Sequence, residues 1–345
     1  MSEGTKKIRA AITAVGHYVP EKIMSNFDLE KLVNTSDEWI RSRTGITERR
    51  VMEHGPTSDM CVPAIQNLLK ERGISAEEIE VIILCSITPD MLFPSTACII
   101  QQKIGAKHAW GFDVSAACSG FLYGLVLGAK LVESGAHKKV LVIGADKMSS
   151  ILDYTDRNTC ILFGDGAGAV LLEPTEDPGN GIIDHVLYSD GSGGEFLYMK
   201  GGGSLNPPTH ETVDKKMHYV YQDGKAVFKV AVYGMAEASA EIMARNNLTG
   251  KDIAYLVPHQ ANLRIIDACR TRMELEPEQV MINIEKYGNT TAGTIPLCLS
   301  EWYHDGKLEK GQNLVLSSFG AGYTWGAVLV NWALENPKKT AGNKS

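Results

Sequence analysis

Glu80-Val81-Ile82-Ile83-Leu84-Cys85-Ser86-Ile87-Thr88 is a short apolar run rich in β-branched residues, the composition of a strand buried on both faces. Its pattern returns in Asp252-Ile253-Ala254-Tyr255-Leu256-Val257-Pro258-His259, with Thr88 and His259 lying 259 − 88 = 171 residues apart. Runs of the same kind at Val140-Leu141-Val142-Ile143-Gly144 and Leu314-Val315-Leu316-Ser317-Ser318 alternate with helical stretches at 60–71, 119–133, 230–245 and 263–273. That alternation predicts a layered α/β architecture with largely parallel sheets. Cys118 and Asn289 are also 289 − 118 = 171 residues apart, each between a strand-like and a helix-like run. Phe163-Gly164-Asp165-Gly166-Ala167-Gly168 is echoed, at another offset, by Phe319-Gly320-Ala321-Gly322. The chain therefore reads as two duplicated α/β halves, 1–176 and 177–345, joined near 173–180 and stacked so that equivalent strand ends meet at a shared site.

The 345 residues are enough for two lobes, and 44% apolar with 22% charged residues is a globular composition. A net charge of −7 argues against general nucleic-acid binding, which needs an excess of Lys and Arg on one face. No stretch reaches the ~20 apolar residues of a membrane helix. The run after Lys6-Lys7-Ile8-Arg9 lacks the apolar length of a secretory signal and reads as a first strand, while the tail 336–345 reads as frayed. Seven widely spread cysteines suit a reducing cytoplasm, and no Cys-x-x-Cys or His-Glu-x-x-His spacing suggests a metal. The segment 164–169 fits a loose dinucleotide-binding pattern. It is followed by a β-type run ended by Pro174, where phosphate binding needs a helix N-terminus, so its glycines are assigned to a tight turn and close approach between the halves.

Among the seven cysteines, Cys118 stands out because it lies where Gly111-Phe112-Asp113-Val114-Ser115-Ala116-Ala117 gives way to a helix rich in small residues. The unpaired amides and positive dipole end there are expected to lower a thiol's pKa, which makes Cys118 the candidate nucleophile. Its competing role is that of a small buried residue. His259 ends a strand, where open α/β sheets place functional groups, although a hydrogen-bonded structural histidine fits equally well. Asn289 alone would be read as a helix cap. Together the three form a set in which a sulfur attacks and two neutral donors hold an oxyanion.

These segments resemble the β-ketoacyl-acyl-carrier-protein synthase III family of the thiolase fold. The likeness is carried by Asp37-Glu38-Trp39-Ile40 with Arg43-Thr44-Gly45-Ile46, the Cys118 segment, Asp156-Arg157 before Phe163-Gly164-Asp165-Gly166, Pro258-His259-Gln260-Ala261-Asn262, Gly288-Asn289-Thr290 and Phe319-Gly320-Ala321-Gly322. The resemblance implies an initiating condensing enzyme of fatty-acid synthesis with no tightly bound cofactor. Acetyl passes from acetyl-CoA to Cys118; malonyl-acyl carrier protein then loses CO2 to an enolate held by His259 and Asn289, and the enolate attacks the acyl group. The resemblance further implies a second oxyanion hole from the Cys118 N–H and the Gly320-Ala321-Gly322 turn, with Ala321 where many relatives carry glycine. It places Phe319 beside the cysteine and Trp39, Arg43 and Arg157 at CoA. Phe93 would cross a homodimer interface to close the acyl pocket, favouring short primers. Arg264, with Lys229, Arg270 and Arg272, would form a basic rim for the acyl carrier protein. The alternatives are a cysteine hydrolase, a polyketide-type initiating synthase and a non-catalytic partner subunit.

Overall fold

The computed structural model describes residues 8–177 and 179–342. In chain order the elements that build the site are β1 (Arg9–Tyr18), α1 (Asp37–Thr44), α2 (Thr57–Arg72), β2 (Val81–Cys85), α3 (Thr96–Ile104), β3 (Trp110–Val114), α4 (Gly120–Glu133), β4 (Val140–Asp146), β5 (Gly166–Thr175), β6 (Gly181–Ser189), α5 (Gly224–Arg245), β7 (Tyr255–Pro258), α6 (Leu263–Arg272), α7 (Thr294–His304), β8 (Asn313–Gly320) and β9 (Thr324–Asn331). β2 and β4 are buried along their whole length, as their unbroken apolar runs require.

Two sheets repeat one plan. The first has the order β1-β5-β4-β2-β3 and the second β6-β9-β8-β7. In the first, β1/β5 and β5/β4 are antiparallel while β4/β2 and β2/β3 are parallel. In the second, β6/β9 and β9/β8 are antiparallel and β8/β7 parallel, with a parallel Leu256–Val280 bridge where the counterpart of β3 would run. Helices α4 and α7 lie between the sheets; α2 and α3 cover the outer face of the first sheet, α5 and α6 that of the second. This is the five-layered αβαβα thiolase-like arrangement. Phe121, Leu122, Leu125 and Val132 of α4 sit in the central core, where each fully buried large apolar side chain contributes about 1.5–3 kcal/mol.

The repeat has an offset of 174, not 171. Val81 pairs with Val140 in one sheet and Tyr255 with Leu314 in the other, so 255 − 81 = 314 − 140 = 174. Helices α4 and α7 start 294 − 120 = 174 residues apart. Cys118 thus corresponds to Ala292, Asn289 to Ser115 and His259 to Cys85, so the sequence expectation that Cys118 and Asn289 are repeat-equivalent does not hold. The cause is physical: a strand buried on both faces has no period-2 alternation, and its apolar run can be slid against another by several residues without a mismatch.

Close contact between the halves depends on absent side chains. A Cβ on Gly144 would lie 2.0 Å from the Ala292 carbonyl oxygen, and one on Gly168 2.6 Å from the Leu297 nitrogen. The glycines after Phe163 therefore admit the second half's chain, as expected. The tail departs from expectation: residues Pro337–Gly342 are helical, and buried Asn336 donates to the Gly306 carbonyl at 2.8 Å. The remainder of the tail, 343–345, lies outside the described residues, as do Lys6 and Lys7.

Candidate active site

β3 ends at Val114 and the chain passes through a single 3-10 turn, Ala117–Ser119, before α4 begins. Ala117 holds this turn in the left-handed region at φ 47°. The second half anchors it from outside: Ser318 Oγ donates to the Cys118 carbonyl at 2.8 Å, Thr324 Oγ1 to that of Ala116 at 3.0 Å, and Ser119 Oγ donates back to the Thr324 carbonyl at 3.0 Å. Cys118 is 8% exposed. Burial pushes its thiol up to about 12, with the Asp146 charge adding to the rise and the residue's own amide opposing it. The sequence argument expected a lowered value from the helix start. Desolvation outweighs that contribution here, because Cys118 precedes α4 inside a closed interface.

His259 follows β7, and its amide donates to the Ser317 carbonyl at 2.7 Å. Neighbouring Gln260 locks the segment, donating to the carbonyls of Pro258 and Met281 and accepting from the amides of Asn283 and Ile284. The imidazole is 1% exposed, and burial lowers its pKa to about 3, so it is neutral near pH 7. Its Nδ1 is buried without a protein partner among the described residues.

Asn289 is clamped through its backbone, its amide donating to Leu162 and its carbonyl accepting from Gly164. Its Oδ1 accepts from the Thr291 amide at 2.8 Å, which leaves the Nδ2 hydrogens as donors. The three groups line one cavity of about 600 Å³, with contributions from both halves.

Phe319 and Gly320 line the same cavity, and a Cβ on Gly320 would stand 2.7 Å from the Cys118 nitrogen. Ala321 is next in the chain but does not line the cavity, and the positive φ of this turn falls on Gly322. The alanine thus carries no left-handed strain. Phe163, Leu197 and Met235 supply the apolar wall. Phe93 is 84% exposed and does not line this chain's own cavity.

At the mouth stand Trp39, Arg43, Asn262 and Arg264. The Arg43 and Arg157 guanidinium groups lie 5.5 and 5.0 Å from the Trp39 ring centroid, and Arg157 donates to the Asn34 carbonyl without lining the cavity. Arg264 stacks on Phe228 at 4.7 Å and has no carboxylate partner among the described residues. Lys229 is exposed on α5. Arg270 and Arg272 do not extend a free basic rim. Arg270 is bound to Asp267 and the Leu275 carbonyl, and Arg272 is bound to Glu237 through two bonds. In the linear sequence those acidic partners are invisible for Arg272, since Glu237 lies on a different helix.

Sequence reasoning also missed Lys225, which lines the mouth two residues after the α5 cap Asp223. It missed Arg49, a buried guanidinium that donates to the Ile161 carbonyl and to Asn26 and so fixes part of the wall. An Asp-Gly before an amphipathic run signalled the helix start carrying Lys225; nothing local signalled Arg49. Among the described residues no group of His, Cys, Asp and Glu is arranged to hold a metal, and no helix is long and apolar enough to cross a membrane.

Comparison with known proteins brings the same segments together. Residues 112–191 match the family described as 3-Oxoacyl-[acyl-carrier-protein (ACP)] synthase III, and residues 243–332 match its C-terminal counterpart. The chain is 61% identical over 328 residues to the beta-ketoacyl-[acyl-carrier-protein] synthase III of Chlorobaculum tepidum, covering 94% of this chain and 100% of that protein. It is 54% identical to the enzyme of the same name from Porphyromonas gingivalis, covering 95% and 98%. Among solved structures, 3-oxoacyl-[acyl-carrier-protein] synthase III from Aquifex aeolicus VF5 superposes with a TM-score of 0.87 at 41% identity, covering 94% and 100%. A priming beta-ketosynthase from the R1128 polyketide pathway superposes with a TM-score of 0.88 at 32% identity, covering 98% and 100%.

Proposed function

Because this chain belongs to the 3-oxoacyl-[acyl-carrier-protein] synthase III family, we propose that it moves acetyl from acetyl-CoA to Cys118 and condenses it with malonyl-acyl carrier protein. The protein is an acyltransferase, an initiating condensing enzyme of type II fatty-acid synthesis. The observation that carries the residue-level reading is the single cavity shared by Cys118, His259 and Asn289.

In the first stage the Cys118 sulfur attacks the acetyl thioester carbonyl. The carbon–sulfur bond to CoA breaks, CoA leaves carrying the proton lost by the thiol, and acetyl-Cys118 remains. The thiol is neutral at rest, so it gives up its proton in the course of attack, and the Cys118 amide with the turn after Phe319 holds the carbonyl oxygen.

In the second stage the bond from the malonyl α-carbon to its carboxylate breaks and CO2 departs. The electron pair becomes an enolate whose oxygen accepts hydrogen bonds from Asn289 Nδ2 and the neutral His259. The tautomer with hydrogen on Nε2 suits this role, because it leaves a bare lone pair, and no N–H, on the buried Nδ1. The enolate carbon then attacks the acetyl carbonyl, the bond to the Cys118 sulfur breaks as acetoacetyl-acyl carrier protein forms, and the departing thiolate takes a proton from water.

Arg264, Lys225 and Lys229 form the basic approach for the acidic carrier protein, and Trp39 with Arg43 and Arg157 offers an aromatic face and cations to the CoA nucleotide. Phe93, exposed on this chain, closes the pocket of a second copy in the homodimer. The free thiols, seven in number, suit a cytoplasmic enzyme.

The test incubates the protein with acetyl-CoA and malonyl-acyl carrier protein and follows acetyl on Cys118 by mass spectrometry. A Cys118 adduct, CO2 release and β-ketoacyl product are expected. Hydrolysis to free acetate alone, or acetyl retained by Cys118→Ala, overturns the reading.

A further inference from the structure

The offset of 174 exposes a broken symmetry behind the site. Ala117 at φ 47° in the first half corresponds to Thr291 at φ 50° in the second, so both halves carry the same left-handed turn before their central helix. Against the first turn lies Gly320, whose counterpart is residue 320 − 174 = 146. That residue is Asp146, at the end of β4, and it lies against Thr291 and Ala292. A glycine faces the nucleophile's turn and a carboxylate faces the turn that follows Asn289.

Asp146 is wholly buried, and both oxygens are in use. Oδ1 accepts from Ser86 Oγ at 2.9 Å, the Ile87 amide at 2.8 Å, and the Thr88 amide and hydroxyl at 3.1 and 2.9 Å. Oδ2 accepts from the Thr291 hydroxyl and, at 3.3 Å, from the Ala292 amide. A β-branched residue at positive φ is held only when its surroundings over-determine it, at a cost of about 1–3 kcal/mol. The Asp146 bonds provide that restraint. The adjoining Thr291 amide is the group that fixes the Asn289 carboxamide.

We propose that Asp146 is a positioning residue for the condensation half-reaction, holding Thr291 so that the Asn289 amide donates to the enolate oxygen. It does not touch substrate; it acts through Thr291. Its charge also adds to the rise that burial imposes on the Cys118 thiol, while burial raises the pKa of the Asp146 carboxyl itself. The inference rests on Asn289 being an oxyanion donor, as set out above.

The experiment compares Asp146→Asn and Thr291→Val with wild-type protein. Decarboxylation of malonyl-acyl carrier protein is measured apart from transfer of acetyl to Cys118. Loss of one oxyanion donor costs about 10²–10³ in rate, so Asp146→Asn is expected to lower decarboxylation about 10²-fold while acetyl transfer changes less than about 5-fold. Thr291→Val, which removes only the hydroxyl, gives the same split at about 10-fold and keeps the test open should Asp146→Asn not fold. Thr291→Ser, which keeps the hydroxyl that donates to Asp146, is expected to retain the wild-type ratio, a rescue that a merely structural loss would not show. Asp165→Asn, which removes another buried carboxylate bound to Met52 and Ser149, leaves the ratio of the two half-reactions unchanged. Equal loss of both half-reactions, or a wild-type ratio in both Asp146→Asn and Thr291→Val, overturns the proposal. If Asn289→Ala decarboxylates normally the underlying mechanism fails instead; if it is impaired while Asp146→Asn is not, only the positioning role fails.

Discussion

Adding one methyl group at Gly320 tests how closely the second half holds the nucleophile. The Cβ of Gly320→Ala would lie 2.7 Å from the Cys118 nitrogen, 3.1 Å from that of Ser119 and 3.2 Å from the Ala117 Cβ. Ordinary contact begins at 3.4 Å, so the turn must retreat by about 3.4 − 2.7 = 0.7 Å. It cannot drift freely, because the hydrogen bonds from Ser318 and Thr324 and the bond from Ser119 tie it to the same strands. Overpacking of this kind costs about 1–3 kcal/mol of stability. A 1 Å misplacement of reacting groups costs on the order of 10²-fold, so a 0.7 Å shift is expected to slow acetyl transfer between about 10-fold and 10²-fold. The assay is the burst of CoA released from acetyl-CoA in the absence of malonyl-acyl carrier protein, read beside a thermal melt. A burst at the wild-type rate would refute the reasoning, since it would mean that the turn adapts without moving the sulfur.

His259 supplies a pH prediction. Its folded value of about 3 lies below the ordinary 6.5, so protonation favours the unfolded chain, and stability from keeping it neutral is complete above pH 6.5 and is lost as pH falls toward 3. In urea unfolding, wild type minus His259→Asn should change by up to about 1.4 kcal/mol per pH unit within that window and be flat above it; a flat difference throughout contradicts the burial argument. Reversing Arg264 to Glu should raise the KM for malonyl-acyl carrier protein and leave acetyl-CoA loading within about 3-fold, because one exposed charge acts mainly on encounter. Equal loss in both half-reactions would remove Arg264 from the docking surface.

The segments of Cys118 and His259 were legible because each follows a strand end, which shows in sequence as an apolar run meeting small or polar residues, whereas Asn289 follows the short helix Ile284–Tyr287 and not the strand-like run expected before it. The strand Val81–Cys85 falls inside the apolar run 80–88, and the helix predicted at 119–133 begins one residue later, at Gly120. The helix predicted at 230–245 in fact begins at Gly224. Its first turn carries Lys225, so the missed turn is also the missed mouth residue. What no local pattern could give was pairing at a distance. Arg272 reads as a free cation until Glu237 is brought to it. The thiol was misjudged for a related reason: a helix start is a local feature, whereas burial between two halves is not.

Duplication alone yields two equivalent corners, and chemistry requires that they differ. In the first half the turn after β3 carries a sulfur and meets the bare backbone of Gly320, which leaves room for a thioester against the cysteine. In the second half the equivalent turn carries Ala292, meets Asp146, and presents Asn289 from three residues upstream. His259 repeats the exchange, standing where the first half has buried Cys85. Each substitution places neutral groups inside the cavity and leaves its cations at the mouth. A cationic imidazole inside would hold the malonyl carboxylate as tightly as the enolate, and binding the ground state as well as the transition state gives no acceleration of carbon dioxide loss. On the proposed mechanism a neutral donor favours the enolate oxygen, where charge newly appears, and the burial that lowers the His259 pKa would then make the corner selective for the later step.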